Sequence, residues 1–308
     1  MNVTCKNIIL PTASPPRNEN STMISWKRVG VAVALSPTAE GLLTQAAHIA
    51  RIFQAELFII HVGQASDETR LAVENLAATL LERDLAYQIC WETGDPVSKI
   101  LAICEREHID LLIAGALKKE NIFRYYLGTV ARKIMRKANC SVWMITNPGE
   151  GRVHYNNIVL NAEDSPYIRQ ALEVACWIGR KEKSKWLHVV RELKMMGLAL
   201  ASSDQCTEEE YNDIQQNLLH DEMSEVEKML AAVPHENLKV NVKVLSGKSG
   251  FELARFAERK SADLLVVGAP GRRFSLFDRV FPHDLEYIFA DLPAHLLIVH
   301  SRKEAMNG

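Results

Sequence analysis

No stretch of this 308-residue chain comes near the roughly 18 consecutive apolar residues that a membrane-spanning helix needs. The polar N-terminus also lacks the apolar centre of a secretion signal, so a soluble, cytoplasmic protein is expected. Charge of one sign is missing too. Against 36 Lys and Arg stand 38 Asp and Glu, a net charge of −2, without the basic excess of a nucleic-acid binder. The cysteines Cys5, Cys90, Cys104, Cys140, Cys176 and Cys206 form no C-x-x-C pair. Four of them (Cys90, Cys104, Cys140 and Cys176) sit among apolar neighbours, where a reduced cysteine behaves as a small core residue. The ten histidines contain no H-E-x-x-H and no other ligand spacing, so no metal site is expected. Gly247-Lys248-Ser249 ends like a phosphate loop, but the glycine needed five positions before Gly247 is Val242. Val242 lies within the alternating run Lys239 to Val244, which reads as a strand.

What the chain does have is a repeat. Asp110-Leu111-Leu112-Ile113-Ala114-Gly115-Ala116 returns as Asp263-Leu264-Leu265-Val266-Val267-Gly268-Ala269, an offset of 153 from 110 to 263. The same offset carries Gly94 to Gly247, so Gly247 reads as the tight turn between a strand and the next helix. Arg28 to Pro37 answers Asn157 to Pro166. By its letters, Ile60-His61-Val62 pairs with Leu187-His188-Val189, an offset of 127 that implies 26 extra residues in the second half. The extra segment includes Met195, Met196 and a helix opened by Thr207, with Glu208, Glu209 and Glu210 in its first turn. A small apolar or metal ligand there would draw on Met195, Met196, Cys206 and His220, which fit a helix's buried face equally well.

Apolar runs place strands near 28–34, 56–62, 86–92, 110–115 and 141–145, and again near 157–162, 185–190, 239–245, 263–268 and 295–299. Strands alternating with helices predict two tandem doubly wound parallel five-stranded sheets, with helices on both faces. The last strands, Val142 to Ile145 and Leu296 to Val299, are apolar enough to pair across an internal pseudo-dimer. The expected organisation is a poorly ordered segment 1–24, a domain 25–147, a linker 148–153, a domain 154–300 with an insertion near 191–233, and a tail 301–308.

A strand ending apolar-apolar-Gly, followed by a loop and a helix near position 128, resembles the universal stress protein family, in both halves. In that family the loop after the fourth strand reads Gly-x-x-Gly, nine residues, then Gly-Ser or Gly-Thr, and holds ATP in its nucleotide-binding members. The resemblance implies a phosphate site in the first half from Gly115, Lys118, Gly128 and Thr129, with Lys118 where the second glycine belongs. Lys119 and Arg124 add positive charge nearby. The end of the first strand, Ala34-Leu35-Ser36, lacks the aspartate that contacts the nucleoside. The second half has Glu163 and Asp164 there, and Gly268 and Gly271 satisfy Gly-x-x-Gly. Phe281-Pro282-His283 then replaces Gly-Ser, and Asp284 and Glu286 bring negative charge to where phosphate would lie.

The resemblance implies a non-enzymatic stress-response regulator with an adenine nucleotide as its ligand. Its alternative is a nucleotide-free module working through a protein partner, and further dimerisation stays open. His61 and His188 are expected as buried, hydrogen-bonded residues, because no Ser or Cys is visibly paired with them. The basic group Arg132, Lys133, Arg136 and Lys137 reads as a solvated helix face.

Overall fold

The computed structural model describes residues 24, 26–64, 66–81, 85–118, 125–148, 154–192, 207–246, 250–269, 288 and 291–301. The first half contributes β1 (Arg28–Ala32), β2 (Glu56–Val62), β3 (Tyr87–Glu92), β4 (Leu111–Gly115) and β7 (Ser141–Ile145) to the main sheet. The second half contributes β8 (Asn157–Asn161), β9 (Trp186–Glu192), β10 (Val240–Leu245), β11 (Leu264–Ala269) and β12 (His295–His300). A separate two-stranded ribbon joins β5 (Leu117–Lys118) to β6 (Tyr125–Tyr126). The described helices are α1 (Ala39–Phe53), α2 (Asp67–Leu80), α3 (Pro96–Arg106), α4 (Thr129–Lys137), α5 (Ile168–Glu182), α6 (Glu208–Ala231) and α7 (Phe251–Arg259).

The two five-stranded sheets are joined into one through their last strands, the pairing expected of Val142 to Ile145 and Leu296 to Val299. Ten strands run in the order β10-β9-β8-β11-β12-β7-β4-β1-β2-β3. All neighbours are parallel except β12 and β7, which pair antiparallel through Leu296–Met144, Leu297–Trp143 and Ile298–Val142. Joining the halves there removes two apolar sheet edges that would otherwise be open to association.

Alternation explains why helices cover both faces. On β4, Leu111 and Ile113 enter the core beneath α1, α2, α5 and α6, while Leu112 and Ala114 enter the core beneath α3, α4 and α7. On β11, Leu264 and Val266 face the first core and Leu265 and Val267 the second. Strands buried on both faces are apolar throughout, as these are. The four described cysteines, Cys90, Cys104, Cys140 and Cys176, are buried and free.

Local chemistry sets the helix ends. Asp95 caps α3 by accepting from Ser98 N at 2.9 Å and Ser98 Oγ at 2.7 Å, with Pro96 in the first turn. These bonds hold the Asp95 carboxyl below the usual range, with help from Lys133 and Lys137. Thr207 and Glu210 form a reciprocal capping box on α6. Gly94 turns β3 into α3 at φ +121°, a conformation that L side chains rarely adopt. Its counterpart Gly247 lies outside the described residues.

The repeat extends to single hydrogen bonds. The Asp110 carboxylate accepts from Lys27 N and Arg28 N, at 2.7 and 3.1 Å. Asp263 does the same for Asn156 N and Asn157 N, both at 2.9 Å. Each aspartate thereby fixes the start of its half's first strand to the start of the fourth.

The same bookkeeping corrects one pairing. Val33 N donates to Ile60 O at 2.9 Å, and Ala162 N donates to Val190 O at 2.7 Å, so Val190 is the partner of Ile60. His61 is therefore matched by Arg191, at an offset of 130 from 61 to 191, and not by His188. Since Tyr87 still answers Val240 at an offset of 153, the second half carries 23 extra residues between its second and third strands, not 26.

Candidate functional site

In each half the strand order reverses beside the first strand, whose neighbours are the second and the fourth. Chains leaving β1 and β4 in opposite directions open a crevice at their carboxyl ends, where open α/β sheets take ligands. In the first half that crevice is bordered by Ala34-Leu35-Ser36, by Gly115 and Ala116, and by the start of α4. Gly115 is the last residue of β4, in register with Ile145. A Cβ there would meet only Leu42 Cδ2, at 3.7 Å, an ordinary contact.

After Gly115 the chain turns through the β5–β6 ribbon. Its register pairs Leu117 with Tyr126 and Lys118 with Tyr125. This pairing closes the loop at its base, with Gly115 and Gly128 each two residues outside the Leu117–Tyr126 pair. Lys118 stands in the ribbon strand; Lys119 and Arg124 fall outside the described residues.

Gly128 is the N-cap of α4, with φ −67° and ψ 171°, and no side chain caps the helix. Thr129 and Val130 open the helix exposed, and its first turn has no acidic residue. Arg132 Nε reaches back to Leu127 O at 2.9 Å and fixes the approach to the helix. The N–H groups of the first turn and the positive end of the helix dipole make this an anion-favouring terminus.

The second half differs at the end of its fourth strand. Gly268 lies in β11, but a Cβ there would stand 3.2 Å from the Tyr167 backbone oxygen. The chain entering α5 therefore presses directly on the strand end. Glu163 is half-buried and Asp164 exposed, in the loop between β8 and α5. Gly271 and the segment with Phe281, Pro282, His283, Asp284 and Glu286 lie outside the described residues, as do Met195, Met196 and Cys206. His220 is exposed on α6.

His61 and Arg191 hold the two crevices from the second strands. His61 is buried, and its Nδ1 donates to Val33 O at 2.9 Å. Its ring meets Trp91 edge-on, with centroids 4.9 Å apart. Arg191 is also buried, and its Nη1 donates to Ala162 O at 2.7 Å. Its Nε reaches Glu222 of α6 at 2.6 Å. His188, three residues back along β9, is buried instead between Trp186 and Phe256, with Asn241 Nδ2 at 3.1 Å from its Nδ1. Burial pushes the His188 pKa down to about 4, helped by the charge of Lys260. Sequence reasoning had no signal for Arg191, because the shared letters His-Val pointed elsewhere.

A profile of the universal stress protein family matches residues 25–146 and 154–300. The chain belongs to that family and carries its domain twice. Universal stress protein MJ0531 of Methanocaldococcus jannaschii is 25% identical over 142 residues, 40% of this chain and 84% of its own length. Universal stress protein YxiE of Bacillus subtilis is 24% identical over 146 residues, 39% of this chain and 99% of its own. Among solved structures, a universal stress protein from Archaeoglobus fulgidus DSM 4304 superposes with a TM-score of 0.68 at 15% identity, covering 90% of this chain and 99% of that one. A putative universal stress protein from Pseudomonas aeruginosa UCBPP-PA14 gives 0.64 at 18%, covering 90% and 94%. At such identities the likeness speaks for the fold. No described helix is long and apolar enough to cross a membrane.

Proposed function

We propose that the first half binds an adenine nucleotide, ATP in the first instance, and that the chain acts as a cytoplasmic stress-response regulator. The phosphates would lie against the N-terminus of α4, between Gly115 and Gly128-Thr129, with Lys118 as the nearby cation. The observation that carries this reading is the opening of α4: a glycine N-cap, no capping side chain and no acid in the first turn. Helix ends normally recruit an Asp, Ser or Thr to satisfy those N–H groups. The role proposed for the site is binding, not chemistry.

Gly128→Asp is a sharp test. Aspartate is a favoured N-cap and suits the extended backbone of Gly128, so the fold should survive while the phosphate site meets a fixed negative charge. Titration calorimetry with ATP should show micromolar to millimolar binding that weakens on the order of tenfold or more in the variant. Equal affinity in the two proteins would discard the site. A second reading, a nucleotide-free module for a protein partner, is favoured by Leu35, which stands 47% exposed at the crevice where an acid would meet the nucleoside. Wild-type protein that takes up no ATP at millimolar concentration would decide for it.

A further inference from the structure

The two halves also meet across one face of the sheet, where α1 and α5 pack together. Trp177 Nε1 of α5 donates to Ile52 O of α1 at 3.3 Å. Beside this contact three side chains converge from separate segments: His48 on α1, His154 just before β8, and Glu182, the last residue of α5. His48 Nε2 lies 2.9 Å from Glu182 Oε1, and His154 Nδ1 lies 3.0 Å from Glu182 Oε2. One donor atom from each of the three can be chosen so that all lie within 4.8 Å of one another.

We propose that His48, His154 and Glu182 form a site for one divalent transition-metal ion of the zinc class, bridging the two halves. Two imidazoles and a carboxylate are a ligand set that suits such an ion, whereas magnesium and calcium prefer oxygen alone. Ligand atoms about 2.1 Å from a tetrahedral ion stand roughly 3.4 Å apart. The two nitrogen–oxygen separations need to open by only a few tenths of an ångström. The imidazoles must draw closer, and His154, with its side chain 72% exposed, has room to turn. Its exposure also leaves a fourth position open to water.

The surroundings favour a cation. The Glu182 side chain is only 4% exposed, so its carboxylate is shielded from water between the two imidazoles. Its Oε2 also accepts from Tyr155 N at 3.3 Å. The Tyr155 N–H would remain as an outer support for the bound carboxylate. Glu182 ends α5, where the helix dipole attracts positive charge. The two cations of that last turn are directed elsewhere, Lys181 over the Trp177 ring at 4.7 Å and Arg180 toward Glu236 at 3.9 Å.

The test uses the full chain, stripped with a chelator, titrated with zinc chloride alone by calorimetry and with cobalt chloride alone by visible absorption. The expected result is one zinc per chain, a cobalt spectrum without thiolate bands, and a melting midpoint that rises with zinc. His154→Ala and Glu182→Gln should each weaken zinc binding on the order of a hundredfold. The exposed His154 can be replaced without opening the core, so its circular dichroism should match the parent and the loss reads ligation. Zinc uptake unchanged in His154→Ala, no uptake at all, or thiolate bands placing the metal on cysteines would each overturn the proposal.

Discussion

His61 and Arg191 occupy one position in two copies of one fold, and each holds the carbonyl just beyond its half's first strand. His61 does this with an imidazole that packs edge-on against Trp91. A guanidinium is always charged, and burying it requires an anion, so the second half brings Glu222 from α6 to meet it. α6 runs from Glu208 to Ala231, 24 residues against 14 in α2, and its added length comes with the insertion. One substitution at a strand end is thus tied to a longer helix packed over β9 and β10. The ends of the fourth strands differ as well: the Tyr167 backbone presses on Gly268, whereas Gly115 has only Leu42 near it.

The largest expected effect is in acid. His188 and His300 are buried in the second half, and burial pushes both pKa values from 6.5 down to about 4. The unfolded chain therefore binds protons first, so stability is full above about pH 6.5 and is lost as pH falls toward 4. For His300 that loss is on the order of 3 kcal/mol between pH 7 and pH 4. Urea unfolding against pH should show it, and His300→Gln should flatten the curve. Hydrogen exchange should quicken first in β9 and β12; an acid response that begins in β1 or β2 would contradict the contrast.

Next comes the paired position. Arg191→Ala leaves both the Ala162 carbonyl and the partly buried Glu222 without their partner, at a cost of about 2 kcal/mol. His61→Ala loses one hydrogen bond and its Trp91 contact, at about 1 kcal/mol. Equal losses in chemical denaturation would mean that Glu222 adds nothing. The smallest effect concerns the two strand-end glycines. Gly268→Ala must displace the Tyr167 backbone and should cost about 1 kcal/mol, whereas Gly115→Ala, with its nearest atom at 3.7 Å, should be neutral or slightly stabilising. Melting midpoints of the two variants would settle the order.

Much of this was legible because apolar runs and turn glycines act locally. The ten strands, the break after Ile145 and the capped start of α6 at Thr207 follow from patterns a few residues long. The crevice was legible only in outline. Gly115, Gly128 and Thr129 could be placed by spacing, while the closing of their loop depends on the β5–β6 register. The match of His61 to His188 failed because register is set by hydrogen bonds to the neighbouring strand, not by shared letters. A single residue, Lys185, enters before β9 and shifts the comparison, so that Trp186 stands where Glu56 stood.

By itself the sequence determined the repeat, the α/β alternation and the apolar last strands, because each is written in the period and composition of a single segment. Only the tertiary structure decided that the last strands meet antiparallel, that Arg191 answers His61, and that His48, His154 and Glu182 stand together. Those three residues lie on segments far apart in the chain, and no local spacing can encode a contact that forms only when two halves pack.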